Sequence, residues 1–487
     1  MATIEIKLLH LDEQTQPLLW QLIEQNPAEF LWKKNKEYKI TLPNGDEQII
    51  TLSHSLLKRD RKPGKMQAPR YEVVNSIQLD KGGYGTIITS LATLIPNPVE
   101  RIFRYSRDQV YLPGRRARRV IKFVKDEQKK SIQEAMQHEV DLLVQADNIK
   151  SKPLVMVKPH KAALVMEHLG GMTLQALLRL NRRGEYDLTI DDRFELSIAF
   201  WEALLTQVTE RGLIHKDIKP ENVMVERIDG KFKITIFDFG LSRRIDDPTL
   251  NTVHKSGGSL GFAAPEQYSE DPRDFNVSTA SDVFSGGVTT AQIWNDGDKK
   301  KKFPVWRIQN QYKNLFQDLD DFAQSISAFQ IRNILKETLP LNPEERISAK
   351  NALDQFRQLY DMHHRLENYP IQFKRLKQWI ETQDWEITKP QRRKRSIMTD
   401  HGEKRVPFHV HELWKQVETL LQNDSNTLSD YEGVEKSILS LGKNAADHSS
   451  FFRKASTQKV YSEFKGVKSL EELLEKLNPS NHWQLHL

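Results

Sequence analysis

The 487-residue chain contains no cysteine. Disulfides, thiolate metal sites and cysteine nucleophiles are therefore excluded, and a reducing compartment fits. No apolar run approaches the length of a membrane-spanning helix. The first residues, Met-Ala-Thr-Ile-Glu-Ile-Lys, lack a basic stretch leading into an apolar one. No secretory signal is read there, and a soluble, cytoplasmic protein is expected. A strong charge bias is missing too. The net charge is +6 and the isoelectric point about 9.0, too weak a bias to indicate nucleic-acid binding without a concentrated patch. What the chain does have is 38% hydrophobic and 9% aromatic residues, enough to build two or three domain cores.

Residues 1–68 read as an N-terminal extension. Ile4, Ile6 and Leu8 alternate like a short strand, and Leu18, Leu19, Leu22 and Ile23 have helical spacing. Two alternating runs then flank Asn44-Gly45, a hairpin signal. Residues 58–70, with Pro63, Gly64 and Pro69, read as a linker.

The chemistry-bearing pattern begins at Asp80-Lys81-Gly82-Gly83-Tyr84-Gly85-Thr86-Ile87, a glycine cluster between two strands. Glycines let backbone amides approach an anion with no Cβ in the way. The segment 101–119 is rich in arginine. It reads as a solvated insertion, with docking to an anionic surface such as phospholipid or a phosphorylated partner as the alternative. Val120-Ile121-Lys122-Phe123-Val124 places a lysine in a buried strand, where it needs a partner. The helix over 131–145, with Ile132, Met136, Val140, Leu143 and Val144 on its apolar side, supplies Glu134 and Glu139. Glu139 is preferred for its distance to the following loop. A buried strand with Met166 and Glu167 runs into Leu169-Gly170-Gly171. After a long amphipathic helix come His215-Lys216-Asp217-Ile218-Lys219-Pro220-Glu221-Asn222 and then Asp238-Phe239-Gly240. Two carboxylates and an amide form a hard, oxygen-only donor set, suited to Mg²⁺ or Mn²⁺ and not to zinc.

Taken in order, these residues resemble the eukaryotic-like serine/threonine protein kinases over about residues 71–360. The resemblance implies an α+β, bilobal fold, with a strand-rich lobe holding ATP and a helical lobe holding the peptide. It implies that Asp80, Gly82, Gly83, Gly85 and Ile87 cover the phosphates, with Asp80 standing where the family has its first glycine. Lys122 would contact the phosphates and pair with Glu139, while Met166, Glu167 and Leu169 would line the adenine site. Asp217 would be the catalytic base, Lys219 would offset charge on the transferred phosphoryl group, and Asn222 and Asp238 would hold the metal. Ser259 would bond to Asp217 and Lys219, Asp282 would brace the catalytic loop, and Glu266 of Ala264-Pro265-Glu266 would pair with Arg346. Lys216 stands where the family usually has an arginine that meets an activation-loop phosphate, so constitutive activity is favoured.

The expected domains are the extension 1–68, a kinase domain 69–362 and a C-terminal helical domain 363–487. Lys389 to Ser396 is a basic run that reads as an exposed loop, a nuclear-localisation-like signal or an autophosphorylation site. Glu471, Glu472 and Glu475 resemble acidic clusters on substrates of bacterial type IV secretion. The bland reading is an ordinary amphipathic helix, the sharper one an effector kinase secreted into a host cell with a host protein target. Protein serine or threonine hydroxyls are the expected acceptors. The alternatives are a pseudokinase or scaffold, and a small-molecule kinase.

Overall fold

The computed structural model describes residues 3–59, 68–82, 85–106, 119–125, 132–150, 154–158, 161–248, 257–268, 277–294, 326–383, 394–400, 402–423, 426–447 and 466–477. Contacts divide the chain into two units, Met1–Phe356 and Arg357–Leu487. The sequence places that boundary after residue 362. Both positions fall within one continuous helix, Ala349–Thr382.

The period-two runs of the N-terminal segment become β1 (Thr3–Ile6), β2 (Leu31–Trp32), β3 (Tyr38–Thr41), β4 (Glu47–Leu52) and β5 (Ser55–Arg59), with helix α1 (Thr15–Gln25) after β1. β1, β4 and β3 form a three-stranded sheet in that order, β1 parallel to β4. β5 runs into the segment that reads as a linker and pairs antiparallel with β6 (Arg70–Gly82). β2 and β5 thereby join a larger sheet with β7 (Gly85–Asn97), β8 (Ile102–Tyr105), β9 (Arg119–Lys125), β10 (Val155–Lys158) and β11 (Lys161–Glu167). Its order is β10-β11-β9-β7-β6-β5-β2, with β8 on β7. Ile6, Leu19, Leu22, Trp32 and Ile40 of the N-terminal segment pack with Tyr71, Val73, Leu94 and Phe103 in one core. Each such side chain contributes about 1.5–3 kcal/mol on burial. The Tyr105 hydroxyl donates to the Leu8 carbonyl at 3.0 Å.

Helix α2 (Ile132–Ala146) buries Met136, Glu139, Val140, Leu142, Leu143 and Ala146. The buried arc is drawn toward Glu139, Leu142 and Ala146, so Val144 falls outside it and is 67% exposed, a correction to the expected apolar side.

The helical lobe holds β12 (Met172–Thr173), α3 (Leu174–Arg183), α4 (Ile190–Gln207), β13 (Leu213–Ile214), β14 (Val223–Ile228), β15 (Lys231–Ile236), β16 (Arg243–Arg244), α5 (Thr279–Trp294), α6 (Ile326–Thr338) and the start of α7 (Ala349–Thr382). A Thr189–Asp192 capping box starts α4, the two residues reciprocally satisfying free amides of the first turn. Nearly every described residue of α5 is buried. Its Gly286 and Gly287 let α4 and α6 close in: a Cβ would lie 2.9 Å from Trp201 at Gly286 and 2.1 Å from the Thr338 hydroxyl at Gly287.

In the second unit, α7 continues, followed by β17 (Lys394–Thr399), β18 (Gly402–Pro407), α8 (Phe408–Leu421), α9 (Leu428–Asp447) and α10 (Leu470–Leu477). Tyr369, Phe373, Leu376, Val417, Ile438 and Leu473 lie in its core. Helices dominate, yet the end of the basic run is a hairpin strand, because Ile397 and Val406 turn inward from facing strands while Arg395, Ser396 and Arg405 stay exposed. Residues 389–393 of that run lie outside the described residues.

Candidate active site

Strand pairing fixes the place of Lys122 in the sheet. β9 pairs with β7 so that Lys122 lies opposite Ile87, and with β11 so that it lies opposite Leu164. Asp80 is opposite Ile87, and Gly82 opposite Gly85, at the top of the β6–β7 hairpin. Gly83 lies outside the described residues. Met166 is half-buried opposite Val120, Glu167 is exposed, and the half-buried Leu169 follows. Gly171 then takes φ +78° with its backbone against β14; a Cβ there would fall 1.7 Å from the Val225 carbonyl oxygen. Glycine is required at this point.

The Lys122 ammonium donates to both oxygens of Glu139, at 2.8 and 3.1 Å, and to Asp238 Oδ1 at 3.1 Å. Of the two glutamates on the helix, Glu139 makes this contact, and Glu134 is exposed. Burial disfavours the charge on Lys122, but Glu139 and Asp238 outweigh it and hold the ammonium above the ordinary lysine value. Burial pushes the Glu139 carboxyl up against the pull of Lys122. At Asp238 burial also pushes up, and there the lysine wins, leaving the carboxyl below its usual value. Asp238 has φ +67°, a left-handed conformation uncommon outside glycine. Its side chain remains 43% exposed.

The loop after β13 is fixed by Asp282 on α5. Its carboxylate accepts from the amides of His215, at 2.6 Å, and Lys216, at 2.8 Å. Burial holds His215 below its ordinary pKa and hence neutral. Its Nε2 donates to the Phe237 carbonyl, and Nδ1 accepts from the Asp217 amide, which fixes the tautomer. Asp217 is held from three sides. Oδ1 accepts from the Ser259 amide at 2.9 Å, and Oδ2 accepts from Lys219 at 2.7 Å and from Asn222 at 2.9 Å. Lys219 also donates to the Ser259 hydroxyl at 2.6 Å. Asn222 donates again to the Asp217 carbonyl, so its amide nitrogen faces Asp217 and its Oδ1 faces away.

Arg346 and Glu266 form a buried bidentate pair at 2.7 and 2.9 Å, and Ser281 donates to the same carboxylate. Gln267, next in sequence, donates to the carbonyls of Lys216 and Gly257 and so ties the 257–268 segment to the Asp217 loop. This tie has no local sequence signal. Nor does the contact of His138 on α2 with the Ser242 carbonyl, at 3.0 Å.

The protein kinase domain family matches residues 110–356, just over half of the chain. The chain belongs to the protein kinase domain family. The match begins after the glycine hairpin, so the Asp80–Ile87 resemblance stands outside it. The kinase region is 28% identical over 195 residues to a probable serine/threonine-protein kinase of Clostridium acetobutylicum, covering 39% of this chain and 27% of that protein. It is 26% identical over 199 residues to the serine/threonine-protein kinase PkaA of Streptomyces coelicolor, 40% of this chain and 34% of that one. An L-type lectin-domain containing receptor kinase of Arabidopsis thaliana is 35% identical over 133 residues, 27% of this chain and 18% of the plant protein. The chain thus spans about a third or less of these curated relatives. The kinase family and the strand-rich and helical lobes together define the bilobal fold. Among the described residues no helix is long and apolar enough to cross a membrane.

Proposed function

We propose that this kinase domain transfers the γ-phosphate of ATP to serine or threonine hydroxyls of proteins. The observation that carries the reading is the Asp217 carboxylate, oriented by Lys219, Asn222 and the Ser259 amide. Asp217 accepts the proton of the attacking hydroxyl, or aligns that hydroxyl, as its bond to the γ-phosphorus forms and the bond from that phosphorus to the bridging oxygen breaks, with ADP leaving. Lys219 offsets charge that develops on the transferred group. Lys122, steadied by Glu139, binds the non-transferred phosphates. Asn222 through Oδ1 and Asp238 through its exposed carboxylate are hard oxygen donors that fit a divalent cation, Mg²⁺ or Mn²⁺. When bound, that cation neutralises phosphate charge.

Asp80 at the first glycine position and Lys216 are the features that favour a nucleotide-binding scaffold. The assembled Lys122–Glu139–Asp238 cluster favours the enzyme. Delivery into a host cell rests on Glu471, Glu472 and Glu475. These lie on α10, whose Leu470 and Leu473 are buried, and this supports the structural reading of that helix. The decisive measurement is phosphate transfer from ATP to a generic basic protein under Mg²⁺ or Mn²⁺. Wild type should be active and Asp217→Ala inactive; equal inactivity of both overturns the proposal.

A further inference from the structure

Glu72 is 0% exposed on β6 and accepts from four side chains on three other strands. Its Oε1 accepts from Arg59 Nε on β5 at 2.5 Å and from Arg119 Nη1 on β9 at 3.0 Å. Its Oε2 accepts from the hydroxyls of Ser90, at 2.6 Å, and Thr93, at 2.7 Å, both on β7. Arg119 also reaches the Thr93 hydroxyl at 3.0 Å, closing the network. Arg59, Ser90 and Thr93 are themselves buried. Burial pushes the Glu72 carboxyl up, but the two guanidinium groups and the hydroxyls hold it below its usual value. The carboxylate is therefore a satisfied buried anion with no place to move.

Four of these residues stand in cross-strand pairs, and Arg59 reaches Glu72 from its place opposite Arg70 on β6. Thr93 lies opposite Glu72 on β7, and Ser90 lies opposite Arg119 on β9. Above the Glu72–Thr93 pair, the β6–β7 ladder shifts register at three places before the glycine turn. Three residues along β9 from Arg119 sits Lys122. A strand that slips by one residue turns every side chain to the other face. The buried apolar face of these strands sets one constraint on register, and in a ladder that is already irregular the polar cluster adds a second. An anion that needs Arg59, Ser90, Thr93 and Arg119 together accepts only one register.

We infer that Glu72 is a positioning residue: through Arg59, Ser90, Thr93 and Arg119 it sets the register of β7 and β9, which present the glycine hairpin and Lys122, and so makes the N-terminal segment part of the nucleotide-binding lobe. This role presupposes that the cleft binds nucleotide. Its mechanical half does not.

The test compares full-length wild type, Glu72→Gln and the milder Thr93→Val and Arg59→Met. Circular dichroism reports folding, hydrogen exchange reports residues 85–97 and 119–125, and titration reports affinity for Mg-ATP. Folded variants should lose amide protection in β7 and β9 while β14 and β15 keep theirs. Their KM for ATP should rise roughly tenfold while the KM for protein substrate stays unchanged. Variants that lower only the melting temperature, with wild-type exchange in β7 and β9 and wild-type ATP affinity, overturn the inference. If Glu72→Gln does not fold, Thr93→Val and Arg59→Met decide by the same criteria. Altered exchange in a protein whose wild type binds no nucleotide sinks the kinase reading while upholding the register role.

Discussion

Lys122 and Glu139 meet across the sheet–helix boundary of the strand-rich lobe, ammonium to both carboxylate oxygens. Lys122 divides its remaining attraction with Asp238. Removing the charge of Glu139 leaves the ammonium free to swing toward Asp238, the residue that also faces the proposed metal. Glu139→Gln should therefore fold but lose about 2 kcal/mol of transition-state binding, roughly thirtyfold in kcat/KM for ATP. Steady-state kinetics with varied ATP check this, and an unchanged kcat/KM would detach the pair from nucleotide binding.

Arg346 and Glu266 are both nearly inaccessible to solvent. Arg346 also donates to the carbonyls of Pro340, Leu341 and Ala280, so its loss strands a buried carboxylate and three acceptors. Arg346→Met should destabilise the kinase unit by about 3–5 kcal/mol. The double variant with Glu266→Gln should recover part of that loss. Urea denaturation followed by tryptophan fluorescence checks both values.

The residues of the proposed site are legible in the sequence because each carries a local signature. Lys122 is a charge in an apolar strand, and Asp217, Lys219 and Asn222 share one short loop. Glu139 was separable from Glu134 by distance along the chain. The Glu72 network was not legible, because its partners at 59, 90, 93 and 119 are brought together by sheet pairing rather than by spacing. The merging of β5 into the main sheet is hidden for the same reason: the break in composition after Arg59 looks like a linker, although Leu56 and Leu57 are fully buried. Val144 lies off the buried arc because helical periodicity fixes the width of an apolar stripe better than its centre.

Lys216 is 4% exposed, has φ +67°, and has no carboxylate within ion-pair distance among the described residues. Burial, and then the nearby charge of Arg243, lower its pKa to about 8 from 10.5. Between these values the unfolded chain holds a proton that the folded chain has lost, so stability rises with pH from about 8 to 10.5. Below pH 8 both states are protonated and the folded state bears the full penalty. Lys216→Met should be more stable than wild type at pH 7 and should lack the rise above pH 8. Denaturation midpoints across pH 6–10.5 check this; parallel curves would place the ammonium in solvent.

Ser259 serves the site twice, through its amide to Asp217 Oδ1 and through its hydroxyl to Lys219. Ser259→Ala keeps the first contact and removes the second. Lys219 retains Asp217 Oδ2, so the proposed base stays oriented while the cation is held by one partner instead of two. The loss should be about 1 kcal/mol, roughly fivefold in kcat, with the KM for ATP unchanged. Ser259→Thr keeps the hydroxyl and should restore most of the activity. A loss confined to the KM for protein substrate would assign the hydroxyl to the peptide platform rather than to Lys219. A Ser259→Ala enzyme as impaired as Asp217→Ala would mean that the hydroxyl, not the amide, is what positions the base.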